Sequence, residues 1–354
     1  MNIGGGTPDL FGLTHSNRDF SKQESWGKNQ FNSSFPAALC CYLASRNLTA
    51  NYLQFQNAQF KIGQIPIDQL FGLKPLSTAT YFSFETSFSA YDQYSVGHIP
   101  RTDLVISKTG IRPEQVAALE IKLTALPDST TCDSDEADYG SELVVRPDTM
   151  FYLAAGLAHN NKARLSRHFY ADPVKLNDWT DPGEVLAAFE IIHQKMFAFL
   201  CDPDLVETPN IVQPIWKTNG KSANLAEHCL DVFAWSTAGF LYFLLQITST
   251  VNNKTISRPM RSLIWTYKML LDIATVGQTN YQDTIDSLSF NTKNDKAFAV
   301  SGVVTRNYMR HENLQKPRIR RDEIRSIILG GGQNMLSPER RFDAIIVSSP
   351  DLFR

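Results

Sequence analysis

The sequence predicts an α/β fold, with a mixed central sheet flanked by helices and a large helical second half. Two apolar runs separated by turn-forming residues, Leu104–Ser107 and Val116–Leu123, indicate neighbouring strands. Downstream, apolar residues recur at spacings of three and four over residues 184–200, 225–247 and 260–276, which is typical of packed helices. A chain of 354 residues can bury a large core.

The remaining elements follow from the same patterns. Phe84, Phe88 and Tyr91 recur at helical spacing and predict a helix over Tyr81–Tyr94. Leu143–Val145 predicts a further strand of the same sheet, and Pro147 is suited to the first turn of a following helix. The other predictions are a helix over Phe35–Leu48, strand or irregular structure over Tyr52–Ile62, helix to Ala158 after Pro147, and a last strand over Phe342–Ser348.

Composition excludes several classes of protein. The net charge of −2 does not indicate a generally basic nucleic-acid binder, so any such role depends on local clusters. The five cysteines form no CxxC pair and no signal peptide precedes them, which favours reduced thiols in the cytoplasm and no structural zinc. The most apolar run, Val232–Ile247, is shorter than the roughly 20 residues of a membrane helix, so we expect a buried helix and no membrane.

Three charged residues interrupt the two apolar strands. Side chains alternate across a strand, so Glu120 and Lys122 share one face while Ile121 points into the core. If Asp103 lies on the adjacent strand, two carboxylates and an ammonium converge. An exposed hairpin with a solvated Glu–Lys pair is the plainer alternative, but the flanking residues are too apolar for a surface strand.

Such a cluster suits metal-dependent hydrolysis of a phosphodiester. Magnesium prefers oxygen ligands and usually keeps several waters, so one or two carboxylates suffice. The ion lowers the pKa of a bound water, and the lysine orients the attacking water and offsets charge on the phosphate.

Five segments carry a more specific resemblance. They are WGKNQFNSSFPAAL (Trp26–Leu39), HIPRTDLV (His98–Val105), EIKLTALPDSTT (Glu120–Thr131), SELVVRPDTM (Ser141–Met150) and LSPERRFDAII (Leu336–Ile346). Together they resemble the HindVP-type family of type II restriction endonucleases. Asp103, Glu120 and Lys122 match the PD-(D/E)xK nuclease signature, with Pro100 displaced to three residues before the aspartate.

The resemblance implies a PD-(D/E)xK core and a homodimer that makes double-strand cuts in DNA with magnesium at the palindrome GRCGYC. Asp103, Glu120 and the carbonyl of Ile121 are the implied metal ligands, and a cognate DNA methyltransferase is the implied genetic partner. We expect one elaborated domain, with a catalytic core over about 80–160, a helical region over about 182–277 and a basic region over about 301–354. The alternatives are a repair or junction-resolving nuclease of the same fold and a non-catalytic DNA-binding protein.

Further candidates lie outside the hairpin. Glu85 is a possible additional acid near the metal, on the predicted helix that also carries Asp92. Gly330–Gly332 lacks the Lys-Ser/Thr of a nucleotide-binding loop, which argues against ATP binding. The C-terminal region is rich in arginine, whose fork fits phosphate oxygens and the edge of guanine. The candidate DNA contacts are Arg306, Arg310, Lys316, Arg318, Arg320, Arg321, Arg340 and Arg341, with Lys28, Asn29 and Gln30 as competitors.

Overall fold

The computed structural model describes residues 35–109, 114–122, 143–219, 225–249, 255–290, 298–300, 314 and 316–327. Over these residues the chain forms a mixed central sheet with helices on both faces. The predicted α/β architecture is therefore confirmed at the level of its layers.

The central sheet contains eight strands. The strands are β1 (Thr49–Gln56), β2 (Gln59–Pro66), β3 (Thr80–Thr86), β4 (Thr102–Lys108), β5 (Glu114–Ile121), β7 (Pro209–Thr218), β8 (Leu225–Ser236) and β10 (Ile319–Arg320). Seven follow the order β2-β1-β8-β7-β5-β4-β3, and β10 pairs with a part of β8 that β1 does not cover. Two pairs are parallel, β1 with β8 and β5 with β7, and the others are antiparallel.

The helices divide between the two faces of this sheet. They are α1 over residues 35–45, α2 (Ile67–Phe71), α3 (Pro147–Asn160), α4 (Lys162–Leu165), α5 (Pro182–Leu200), α6 (Thr237–Ser249), α7 (Arg258–Val276), α8 (Tyr281–Ser287) and α9 (Arg321–Ser326). Helices α3, α5, α6 and α7 contribute to one apolar core, and α1, α2 and α9 contribute to the other.

Burial on both faces explains the continuous apolar run of β4. Leu104 and Ile106 belong to the core under α1, whereas Val105 belongs to the core under α3. All three side chains are 1% exposed or less. A strand covered on both sides has no solvent face, so it shows no alternation of apolar and polar residues.

The helix predicted over Tyr81–Tyr94 is wrong. Residues 80–86 form β3, which pairs antiparallel with β4, and Ser89–Tyr94 forms a short 3-10 helix. Phe82 and Phe84, two residues apart, both pack into the core under α1. Aromatic residues favour strands, and their spacing of two determines the local structure here. Glu85 and Asp92 therefore do not share a helix face.

The helix predicted over residues 225–247 is correct only in its second half. Leu225–Ser236 is the long strand β8, and α6 begins at Thr237, where the Ser236 hydroxyl accepts a hydrogen bond from the Gly239 amide at 2.8 Å. The buried helix predicted over Val232–Ile247 therefore begins five residues later. Strand β7 also lies within the region predicted as helical. The second half of the chain thus completes the central sheet as well as supplying helices.

Strand β6 (Leu143–Val145) does not join the central sheet, which corrects the prediction for this segment. It forms a separate two-stranded sheet with β9 (Phe298–Val300). The helices predicted over 35–48, from Pro147 to Ala158, over 184–200 and over 260–276 are confirmed as α1, α3, α5 and α7. The strand predicted over Phe342–Ser348 lies outside the described residues.

Candidate active site

The β4–β5 hairpin brings the three predicted residues together. Leu104 pairs with Leu119, which puts Asp103 at the start of β4 close to the end of β5. The Asp103 carboxylate accepts a hydrogen bond from the Ile121 amide, with 2.7 Å between Oδ2 and N. The Thr102 hydroxyl donates to the Leu119 carbonyl at 3.1 Å, and this bond also joins the two strands.

Glu120 and Lys122 form a buried ion pair. Their side chains lie on the same face of β5, with 3.1 Å between Nζ of Lys122 and Oε2 of Glu120. These side chains are only 6% and 7% exposed. Ile121 points to the opposite core, as predicted from the alternation of side chains.

Strand β7 covers the other edge of β5. Glu120 pairs in parallel with Ile211 and Ile121 with Val212, and the Lys122 amide donates to the Val212 carbonyl at 2.9 Å. The solvated surface hairpin is therefore excluded, because β5 lies between two neighbouring strands.

Burial controls the electrostatics of Glu120. Loss of solvation raises the pKa of the Glu120 carboxyl to about 8, the Lys122 ammonium opposes this rise, and the Asp103 carboxylate adds to it. The positive charge of Lys122 therefore does not fully offset the cost of burying the ionised Glu120 carboxylate. Such a site is suited to a cation that is shared between two carboxylates.

The donor set of this site fits a hard divalent cation. Asp103 and Glu120 supply two carboxylates. The described residues hold no cluster of three or more His, Cys, Asp or Glu side chains that could bind a metal without help from water or the backbone. Two carboxylates with water completing the coordination is a usual arrangement for magnesium. Zinc sites normally use nitrogen or sulfur ligands, which this cluster does not offer.

The first turn of α3 also contributes to the site, and sequence reasoning did not identify it. The Lys122 ammonium donates to the Thr149 hydroxyl, with 2.8 Å between Nζ and Oγ1. The neighbouring Asp148 accepts a hydrogen bond from the Tyr281 hydroxyl at the start of α8. The sequence places Thr149 and Tyr281 far from the hairpin, so only the tertiary fold reveals these contacts.

Tyr152 supports the chain that leads into β4. Its hydroxyl donates to the Pro100 carbonyl at 2.9 Å and accepts from the Phe88 amide at 3.2 Å. Burial raises the pKa of Tyr152, so the phenol stays protonated and can act as this donor. The segment before Asp103 is thereby anchored to α3.

Glu85 lies on β3, between two residues that pair with the residues flanking Asp103 on β4. The flanking pairs are Phe84 with Leu104 and Thr86 with Thr102. The backbone of Glu85 has a φ of 52°, a left-handed conformation that is uncommon for residues other than glycine. Glu85 thus lies on a strand rather than on the predicted helix, in a strained backbone conformation, and its role as an additional acid stays a prediction.

Comparison with known proteins identifies the family. The sequence profile of the HindVP restriction endonuclease family matches residues 26–353. The chain belongs to the HindVP restriction endonuclease family.

Two curated relatives match over nearly their whole lengths. A probable type II restriction enzyme, HindVP, from Haemophilus influenzae is 47% identical over 356 residues, covering 100% of this chain and 96% of the relative. The type II restriction enzyme HgiDI from Herpetosiphon aurantiacus is 42% identical over 352 residues, covering 98% and 97%. No solved structure matches the chain.

Membership of the HindVP family makes the protein a type II site-specific deoxyribonuclease, with DNA as its substrate. Type II restriction enzymes generally use divalent metal ions, which agrees with the oxygen-rich site on β4 and β5. Within the part of the chain that the structure describes, no helix is long and apolar enough to cross a membrane.

One predicted DNA contact of this HindVP-family enzyme, Arg318, makes strong hydrogen bonds within the protein. The Arg318 guanidinium binds both carboxylate oxygens of Asp231, at 2.9 and 2.8 Å, and donates to the Thr49 carbonyl at 2.8 Å. Asp231 is 1% exposed and also accepts from Asn51 at 3.0 Å. Burial raises the pKa of Asp231, and the Arg318 guanidinium opposes that rise. Arg318 thus links the segment that enters β10 to β8 and β1, and its contact with DNA stays a prediction.

The other basic candidates differ in their surroundings. Arg320 is about half exposed and forms loose ion pairs with Glu227 and Asp322, at 3.7 and 3.3 Å. Lys316 and Arg321 are exposed. Arg306, Arg310, Arg340 and Arg341 lie outside the described residues, as do Lys28, Asn29, Gln30 and Gly330–Gly332.

Proposed function

We propose that this endonuclease hydrolyses DNA phosphodiesters at the cluster of Asp103, Glu120 and Lys122. One observation carries the proposal: a glutamate and a lysine that pair at 3.1 Å on a buried strand, beside an aspartate fixed to the intervening amide. Burying such a pair is costly and is weak evidence for a role in stability. Strongly perturbed ionisable groups cluster at functional sites.

Magnesium is the cofactor that we propose for this site. Asp103 and Glu120 would hold it, with the Ile121 carbonyl as a further ligand and Glu85 as a possible additional acid. When bound, the ion stabilises the negative charge that develops on the phosphate and makes a bound water more acidic. These residues belong, in this proposal, to a PD-(D/E)xK core.

Lys122 assists the attacking water. Its ammonium orients the water towards the phosphorus and offsets charge on the phosphoryl oxygens. The water oxygen forms a new P–O bond and gives up a proton to the solvent. The bond from phosphorus to the leaving sugar oxygen breaks, and that oxygen takes up a proton from the solvent.

The proposal includes the DNA sequence that the enzyme cuts and the number of protomers that bind it. We infer that the enzyme acts as a homodimer on the palindrome GRCGYC, because a two-fold symmetric protein matches a two-fold symmetric site. Basic residues of the C-terminal region would contact the duplex, namely Arg306, Arg310, Lys316, Arg320, Arg321, Arg340 and Arg341. Of these, Lys316, Arg320 and Arg321 are described by the structure and are exposed. A DNA methyltransferase would be its genetic partner.

The thiols of Cys40, Cys41, Cys201 and Cys229 are free, which supports a cytoplasmic location.

Substitution of the cluster tests the proposed chemistry. We expect Glu120→Ala and Lys122→Ala to abolish plasmid cleavage in magnesium while a gel shift in calcium still detects DNA binding. The matched controls are Glu114→Ala and Lys108→Ala, since both residues are exposed on the same hairpin. Either cluster variant cutting at roughly a tenth of the parent rate or faster would exclude that residue from the reaction.

Removal of the metal tests the cofactor. Because the candidate ligands are all oxygens, cleavage should stop in EDTA and return when magnesium is added in excess. Full activity in EDTA would contradict a metal-dependent reaction.

A further inference from the structure

The first turn of α3 lies against the Lys122 ammonium. We propose that Thr149 is a positioning residue, whose hydroxyl holds Lys122 in the orientation that hydrolysis requires. This inference rests on the proposed function, in which Lys122 directs the attacking water.

The contact is short and fully enclosed. Nζ of Lys122 lies 2.8 Å from Oγ1 of Thr149, and Thr149 is 0% exposed. An ammonium has three N–H donors. Glu120 and Thr149 take two of them among the described residues, so one donor is left for a water or a phosphate oxygen.

Glu120 alone cannot hold the Lys122 side chain in the orientation that hydrolysis requires. A lysine side chain has about 2 kcal/mol of rotamer entropy to lose, so a single contact orients it poorly. Glu120 is also a proposed ligand of the cation, and its carboxylate is shared between two positive groups. The Thr149 hydroxyl is neutral and is not a proposed ligand of the cation, so it can retain Lys122 throughout the reaction. It also accepts a hydrogen bond from the Arg146 amide, at 3.5 Å, which ties it to the start of α3.

The position of Thr149 is itself well determined. Its side chain is β-branched, which restricts rotation about χ1. On one side, Asp148 accepts a hydrogen bond from Tyr281. On the other side, Met150 accepts a hydrogen bond from the Thr266 hydroxyl, with 3.6 Å between sulfur and oxygen. Helices α7 and α8 therefore fix the turn that presents the hydroxyl to Lys122.

Two substitutions at this position separate the hydroxyl from the packing. Thr149→Val preserves the shape and removes the acceptor, whereas Thr149→Ser keeps the acceptor and removes a methyl group. We expect Thr149→Val to lower the single-turnover cleavage rate by about 10- to 100-fold, in line with losses at residues that orient a functional group. Thr149→Ser should stay within about threefold of the parent, and affinity for DNA in calcium should change less than about twofold in both variants.

The controls separate a positioning role from a structural one. Thr248→Val removes another buried threonine hydroxyl, from α6, which among the described residues bonds only to carbonyls of its own helix, and should leave the cleavage rate close to that of the parent. Thermal unfolding monitors the stability of each variant. If Thr149→Val does not fold, Thr149→Ala provides the second variant without a hydroxyl.

The outcomes distinguish this inference from the proposed function. Parent-like cleavage by Lys122→Ala would overturn both. An inactive Lys122→Ala together with parent-like cleavage by Thr149→Val would overturn the role of Thr149 alone. Equal losses in Thr149→Val and Thr149→Ser, or a loss that appears in DNA affinity rather than in rate, would also overturn it.

Discussion

At the scale of single residues, Glu120 and Arg318 show how burial assigns different roles to charged groups. Glu120 is buried with a single lysine, and burial holds its pKa near 8. Arg318 meets Asp231 through two hydrogen bonds, and Asp231 is further bonded to Asn51. The Glu120 carboxylate can therefore accept a further cation, whereas the hydrogen bonds of Asp231 are all made within the protein.

The raised pKa of Glu120 predicts a pH-dependent affinity for metal. A metal must displace the proton, so affinity should rise by close to tenfold per pH unit below about 8 and then level off. Calorimetric titration of the DNA-free protein with calcium at pH 6.5 and 8.5 measures this rise. Glu120→Gln should bind weakly at both pH values, and equal parent affinities at the two values would contradict the prediction.

The same shift fixes the sign of a stability effect. The folded protein binds the Glu120 proton more strongly than the unfolded chain, whose carboxyl has a pKa of about 4.5. Protonated Glu120 therefore contributes to the unfolding free energy of the metal-free protein. The contribution is complete below about pH 4.5 and is lost as the pH rises through about 8.

Arg318 is predicted to stabilise the fold rather than to read DNA. Arg318→Ala leaves Asp231 buried without its cation, so we expect the unfolding free energy to fall by about 3 kcal/mol. Arg320→Ala, at an exposed ion pair, should change it by less than about 1 kcal/mol. Chemical denaturation measures both values. An Arg318→Ala protein of unchanged stability that has lost its preference for cognate DNA would reverse these assignments.

At the scale of elements, the sequence predicts helices with polar faces better than it predicts buried segments. Helices α5 and α7 keep a clear spacing of apolar residues and are predicted nearly to their ends. Residues 225–247 are almost continuously buried, so a strand followed by a helix has the same apolar character as one long helix. Only Ser236 and Thr237, which are typical of a helix start, mark the boundary.

The residues of the candidate site also differ in how well the sequence predicts them. Asp103, Glu120 and Lys122 could be found because their hairpin is local and its alternation is regular. Thr149 and Tyr281 meet the site through packing between distant segments, which no local pattern encodes. Arg318 belongs to a basic run, and nothing in that run distinguishes a residue that will be buried against Asp231.

The contact between α6 and β1 gives a prediction at this scale. A Cβ atom added at Gly239 would lie 2.5 Å from the Leu53 carbonyl oxygen, which belongs to the backbone of a central strand. Gly239→Ala should therefore push α6 away from the sheet and destabilise the protein by about 1–3 kcal/mol.

Gly183→Ala is the matched helix control. A Cβ there would meet only the side chain of Asp181, at 3.1 Å. Thermal unfolding of the two variants measures the difference. Equal stability would show that α6 can shift without cost.

At the scale of the whole molecule, the β4–β5 hairpin with the candidate site depends on strands that come much later in the chain. Strand β5 pairs with β7, and β8 joins β7 to β1 in the centre of the sheet. Strand β10 then adds to β8 near the C-terminal end of the described chain. The sheet that carries the site therefore draws its strands from residues 49–320.

The assembly is tested at the same scale. Because the proposed target is a palindrome, we expect two protomers on one duplex, each presenting one cluster to one strand. Sedimentation of the protein with a cognate duplex in calcium should show a complex of two chains and one DNA. A single chain bound to a duplex that is cut on both strands in magnesium would contradict the symmetric arrangement.

The parallel pairing of Asn51 with Phe233 has a consequence for synthesis in the cell. The ribosome makes Asp103, Glu120 and Lys122 well before the strands that support them, and pairing across such a separation is slow to form. An incomplete chain therefore carries the proposed catalytic residues without the strands that align them. The order of translation itself delays the appearance of an enzyme that attacks DNA.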